Sequence, residues 1–227
     1  MAMDIRIISL GTLAEHPLRD KTRRVRTGHA TTTLVRTDDA TILVDPGLPA
    51  QALIARLDER AGLDPSDITA VFLTSFQADT CRGIRAFEHA QWYIHAMERE
   101  SVGVPLAQLL KDADDAQEST RRELEYQISL LHTCKAAPDS LARGVDLFPL
   151  PGVTPGLCGL LLAQQSQTTV ICGDAIPTIE HYEQARVLTH AKNPEMAIES
   201  YKEAVEIADM LILGRDNLIL NRNQSLF

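Results

Sequence analysis

The chain has 227 residues, 44% of them hydrophobic and 23% charged, with a formal net charge of -9. That length suits one domain with a substantial core. The acidic balance disfavours nonspecific binding to nucleic acid or anionic lipid, and no apolar run approaches the roughly 20 residues that cross a bilayer. An aromatic share of 4% leaves the core to Leu, Ile, Val and Ala. The opening residues carry no basic stretch, and Asp4 and Arg6 interrupt the first apolar segment, which argues against a secretory leader. Cys81, Cys134, Cys158 and Cys172 form no Cys-x-x-Cys pair. The expectation is a cytoplasmic protein with reduced, buried thiols.

Taken in order, residues 5–10 read as a strand, residues 19–26 as a basic solvated loop, and residues 29–36 as a second, β-branched strand. Asp38 and Asp39 turn the chain into a third strand, 41–45, to make a hairpin. Helical spacing over 50–60 puts Leu53, Ile54, Leu57 and Ala61 on one face, with Gly62 as the stop. Residues 68–74 are apolar enough for a strand buried on both sides. The polar side chains of Ser75, Gln77, Asp79 and Thr80 follow, then a helix over 82–88 and a strand over 91–95. Residues 97–101 suggest one helical turn. Residues 106–131 predict one long helix with a polar middle, the heart of a helical insertion at 104–135. Strands are expected at 145–150, 157–163, 168–172 and 210–213. Asn193 and Pro194 start a helix that runs to about Ile207. No internal repeat is visible, and the whole chain, 1–227, is read as one domain.

Several apolar strands end in an abrupt change at Asp45, Ser75, Val153, Asp174 and Arg215. Strand ends that meet at one rim are where α/β folds build a pocket. The order of these landmarks resembles the metallo-beta-lactamase superfamily over nearly the whole chain. Residues 43–47 resemble its early aspartate-glycine landmark. Residues 71–83 resemble the ligand loop His-x-His-x-Asp-His, and the loop at 150–156 resembles Pro-Gly-His-Thr-Pro-Gly. Residues 170–174 resemble the strand with the bridging aspartate, and residues 213–217 the final ligand loop. The resemblance implies a four-layer αββα sandwich with its site at one edge between the sheets. It also implies histidine and aspartate ligands for one or two metals, usually zinc, that activate water for hydrolysis.

The departures fall on those ligands. Ser75, Gln77 and Thr80 stand at three histidine positions, Val153 at the fourth and Arg215 at the last, while Asp79 and Asp174 remain. Hydroxyl and amide oxygens are weak ligands for such an ion, Val153 is none, and a guanidinium repels a cation. The resulting expectation is a dismantled metal site without cofactor, in which Arg215 supplies the charge that Asp79 and Asp174 would otherwise lack. Ser75, Gln77, Asp79, Thr80, Val153, Asp174 and Arg215 would line the pocket, with Asp45 and His29 in support. Asp45 would anchor loop N–H groups, and His29 is the best placed of the isolated histidines (His29, His95, His132, His181, His190) to approach it.

Function then reads as small-ligand binding or scaffolding. One alternative is a hydrolase with an atypical single divalent metal at Asp79 and Asp174. Another is an assembly role, such as a homodimer, through the long helix. A soft-metal site of Cys81, Cys172, Asp79 and Asp174 rests on residues 172 and 174 sharing one strand face; structural cysteine is the commoner reading. A nucleophile at Ser75 or Cys81 lacks a nearby histidine in sequence.

Overall fold

A computed structural model describes residues 3–18, 27–113 and 118–222; the basic run at 19–26 lies outside the described residues. The first half builds one mixed sheet from β1 (Asp4–Ser9), β2 (Thr32–Arg36), β3 (Thr41–Val44), β4 (Ala70–Leu73), β5 (Gln91–Ile94) and β6 (Lys135–Ala136), in that spatial order. The second half builds another from β7 (Ser140–Ala142), β8 (Val145–Pro149), β9 (Cys158–Gln164), β10 (Gln167–Ile171), β11 (Met210–Ile212) and β12 (Leu218–Leu220), in reverse order across the sheet. β3, β4, β5 and β6 pair in parallel, as do β10 and β11; the remaining pairs are antiparallel.

The period of two along each strand separates the layers. Ile42, Val44, Ala70 and Phe72 meet Val145, Cys158, Leu160, Leu162, Ile171 and Ile212 between the sheets. Leu43, Val71 and Leu73 turn outward onto helices α1 (Ala50–Ala61), α3 (Ala96–Asp112) and α4 (Glu118–Thr133), while a short α2 (Ala78–Cys81) follows β4. Val170, Leu211 and Leu213 turn the other way, toward α5 (Ile179–Glu183) and α6 (Pro194–Ile207). The result is the αββα sandwich.

Helix ends follow local chemistry. Gly62 closes α1 in the left-handed region (φ 62°), its N–H donating to the Asp58 carbonyl at 2.8 Å. Asn193 caps α6 by accepting from Met196 N at 3.1 Å, with Pro194 in the first turn. On α1 the buried face is narrower than its spacing suggests: Leu53 and Leu57 are buried, but Ile54 is exposed.

Four expectations need correcting. The long helix of 106–131 is two helices, α3 and α4, and α3 begins at Ala96, ahead of the 104–135 insertion. It absorbs the turn at 97–101 and continues through Pro105. The segment over 82–88 is not an α-helix: α2 ends at Cys81, and a 3₁₀ turn follows at Ile84–Phe87. The second strand starts only at Thr32, while His29 makes an isolated bridge with Thr12. β6, β7, β12 and α5 add to the expected elements, all short and with little periodicity to betray them. Among the described residues, no helix is long and apolar enough to cross a membrane.

Candidate functional site

Loops from both sheets meet at one edge of the sandwich. The loop after β10 turns sharply at Gly173 (φ 52°), where a Cβ would come within 2.8 Å of Thr74 Oγ1. A Cβ on Gly214 would lie 2.2 Å from the Gly173 carbonyl oxygen. Only glycine at both positions lets the loops after β10 and β11 touch, and that contact brings Asp174 and Arg215 together. The backbone then fixes Arg215: Gly214 N donates to Ile176 O at 3.1 Å, and Arg215 N to Pro177 O at 2.7 Å. On the other side, Thr31 N donates to Gly214 O at 2.8 Å.

Arg215 Nε donates to Asp174 Oδ1 at 2.7 Å and Nη2 to Asp174 Oδ2 at 2.8 Å, a bidentate fork. Nη2 also reaches Asp79 Oδ1 at 3.2 Å, and Nη1 contacts Asp79 Oδ2. One guanidinium therefore spans two carboxylates that follow strands of different sheets. The Arg215 and Asp174 side chains are 3% and 4% exposed, whereas Asp79 is 27% exposed, so Asp79 is the solvent-facing member. Burial alone would push the Asp174 carboxyl up. The charge and hydrogen bonds of Arg215 outweigh it and hold that carboxyl below its ordinary value. Burial works against the guanidinium charge in the same way, yet the two carboxylates raise its pKa further.

Asp79 sits in α2, which backbone contacts clamp. Its carbonyl accepts from Ala30 N at 2.9 Å, and a Cβ on Gly47 would meet that carbonyl at 2.3 Å. Gln77 is the half-buried residue that opens α2. Thr80 does not face the pair: its hydroxyl donates to Ser75 O at 2.8 Å and accepts from Gln77 N at 3.1 Å, tying the loop to itself. Ser75 is buried, and its Oγ has no hydrogen-bond partner among the described residues. Val153 is buried in the apolar layer beneath α6, and its carbonyl accepts from Lys192 N at 3.2 Å. His29 turns instead to the Leu10 carbonyl, 2.9 Å from its Nε2.

Asp45 has a positive φ of 49°. Its carboxyl accepts from Thr74 N at 2.8 Å and from Thr74 Oγ1 at 2.7 Å. Burial pushes it up to about 7, against the opposing pull of Thr74 and Arg215. Cys172 and Asp174 do not share a strand face, because β10 ends at Ile171 and Asp174 lies in a 3₁₀ turn. Cys81 and Cys172 fall in separate apolar layers, and burial pushes the Cys81 thiol up to about 12, far from a thiolate at neutral pH.

Two features escaped the sequence reading. Glu98, in the first turn of α3, is fully buried; its Oε1 accepts from Phe76 N at 3.0 Å and its Oε2 from Thr154 Oγ1 at 2.6 Å and Gly156 N at 3.2 Å. It fastens α3 to the loops at 75–77 and 151–156. The second is a cluster around Thr178. Its hydroxyl lies 3.0 Å from His16 Nε2 and 2.9 Å from His181 Nδ1, and it donates to Glu180 Oε2 at 2.9 Å. Nothing in the spacing of lone His and Glu residues signals either arrangement.

Among the described residues, no group of three or more His, Cys, Asp or Glu side chains is arranged to hold a metal ion. Asp79 and Asp174 are the only carboxylates at the ligand positions of these loops, and the fork of Arg215 occupies both. This donor set does not fit a divalent cation.

Comparison with known proteins agrees with the architecture. The sequence profile described as the metallo-beta-lactamase superfamily matches residues 25–212. Comparison with curated protein sequences returns no match. Among solved structures, a Thermotoga maritima protein described as a candidate metallo-beta-lactamase aligns with a TM-score of 0.70 at 18% identity, over 97% of this chain and 100% of its own. The dizinc quorum-quenching lactonase AidC aligns with a TM-score of 0.66 at 19% identity, over 84% of this chain and 74% of its own. AiiA of B. thuringiensis, with N-decanoyl-L-homoserine at its active site, gives 0.63 at 19%, over 91% and 88%. At these identities the likeness concerns the fold alone. Two facing six-stranded sheets, site loops at one edge in the family's order and a profile match across most of the length lead to one conclusion: the chain belongs to the metallo-beta-lactamase superfamily.

Proposed function

We propose that this is a non-hydrolytic member of its superfamily, in which a fixed guanidinium has taken over the electrostatic work of the metal and the strand-end rim over Asp79 binds a small polar ligand. The observation that carries this reading is the Arg215 fork. Its Nε, Nη1 and Nη2 are all directed at Asp79 and Asp174, and two of the three side chains are closed off from water. To admit a metal, both carboxylates would have to leave a buried, charge-assisted pair, a rupture that costs several kcal/mol. The incoming ion would also lie against a permanent positive charge.

The solved neighbours include a lactonase with an acyl-homoserine product and AiiA with N-decanoyl-L-homoserine at its active site, so an N-acyl homoserine lactone is the first compound to try. The expected result is no turnover, and elemental analysis of protein from zinc-, iron- and manganese-supplemented cultures should show metal well below one ion per chain. Stoichiometric metal, together with lactone hydrolysis that a chelator abolishes, overturns the proposal.

A further inference from the structure

Helix α3 presents an exposed stripe at Met97, Glu100, Val104, Ala107 and Lys111. The spacing alternates three and four, so these positions form one seam along the helix. Val104 is 66% exposed and Met97 49%. Beside the seam runs a groove of about 450 Å³ between α3 and α4, floored by Ile128 and Leu131 and opened by Gly103. Among the described residues, nothing covers this apolar strip.

Its charges are distinctive. On α4 the ions are satisfied within the helix: Arg121 pairs with Glu125 at 3.1 Å, and Arg122 pairs with Glu118. Glu100 and Lys111, on either side of Val104 and Ala107 along the seam, have no side-chain hydrogen bond or ion pair among the described residues. An acidic residue, an apolar middle and a basic residue make the seam complementary to itself in reverse.

We propose that α3 packs antiparallel against α3 of a second copy of this chain, about a two-fold axis between Pro105 and Leu106. That register sets Glu100 opposite the partner subunit's Lys111, and Lys111 opposite the partner subunit's Glu100. Val104 lies opposite the partner subunit's Ala107, and the reciprocal contact follows. The small side chain of Ala107 lets the helices approach, and two like ion pairs flank an apolar centre, as an isologous contact requires. The proposal is independent of whether the Arg215 site binds ligand.

Sedimentation equilibrium on the full chain provides the test. The wild type should dimerise reversibly. Glu100→Lys and Lys111→Glu should each weaken the dimer by at least about tenfold, since either one breaks both symmetric pairs, a loss of about 1.4 kcal/mol or more. The double variant E100K/K111E should regain wild-type association, a rescue that loss of folding cannot mimic. A wild type that stays monomeric at the highest soluble concentration overturns the contact, as does a dimer indifferent to the single reversals or a double variant that fails to recover. A monomer whose groove takes up an apolar fluorescent dye overturns it too, and assigns the strip to a small hydrophobic ligand.

Discussion

Arg215 decides the character of the site because its guanidinium is planar, permanently charged and multiply donating. Its Nε and Nη2 satisfy Asp174, and its two terminal nitrogens satisfy Asp79. Arg215→Ala should lower unfolding stability by roughly 3–5 kcal/mol in urea melts, since it strands a buried carboxylate. Arg215→Lys should recover only part of that, because a point charge cannot make the fork. Asp45 adds a pH dependence of its own. Its carboxyl is raised to about 7 when folded, against an ordinary value of 3.8. The folded state therefore holds a proton that the unfolded state has lost, and this contribution to stability falls as pH rises from about 4 to about 7. Asp174 is shifted the opposite way, so its contribution is present above 3.8 and is lost as pH falls further. Thermal melts across this range should show Asp45→Asn flattening the decline on the neutral side. Arg215, Asp79 and Asp174 were legible in the sequence because each follows an apolar strand in a known order of landmarks. Glu98 was not, because its three partners lie in loops distant in sequence and a lone glutamate in a charged helix carries no signal.

Among the elements, α3 departs furthest from its sequence pattern. Pro105 lies inside it without ending it, and its charged surface masks the buried Glu98 near its start. Glu98→Ala should cost about 2–3 kcal/mol, because the Phe76 and Gly156 N–H groups lose their acceptor in a buried setting. Glu98→Gln should cost less, since the amide oxygen keeps one of the two backbone N–H donors, while its NH2 group leaves the other without an acceptor. Chemical denaturation of the two variants measures the difference. The start of α6 was readable from Asn193-Pro194, where cap and first turn are set by local chemistry; Asn193→Ala should remove about 1 kcal/mol. The breaks after Asp112 and Cys81 were not readable. Polar helix formers continue across the first. The second depends on the close approach of Gly83 to the Leu48 carbonyl, which a Cβ at residue 83 would meet at 2.5 Å.

At the level of the molecule, the sequence order maps directly onto the layers. The first sheet is complete at Ala136, and the second begins at Ser140. The central strands were visible as β-branched apolar runs. Of the edges only β1 was, since β6, β7 and β12 have two or three residues each and are held by their neighbours rather than by their own pattern. Because the described strands pass from one sheet to the other only once in this order, severing the chain at the 137–139 crossing would give two fragments with one sheet apiece. Asp79 would go with the first fragment, and Asp174 and Arg215 with the second. Co-expressed, the pieces should reassociate through the apolar faces between them. The ionic rivet across that seam would set their register, and Asp79→Asn in the first piece should loosen its grip on the second.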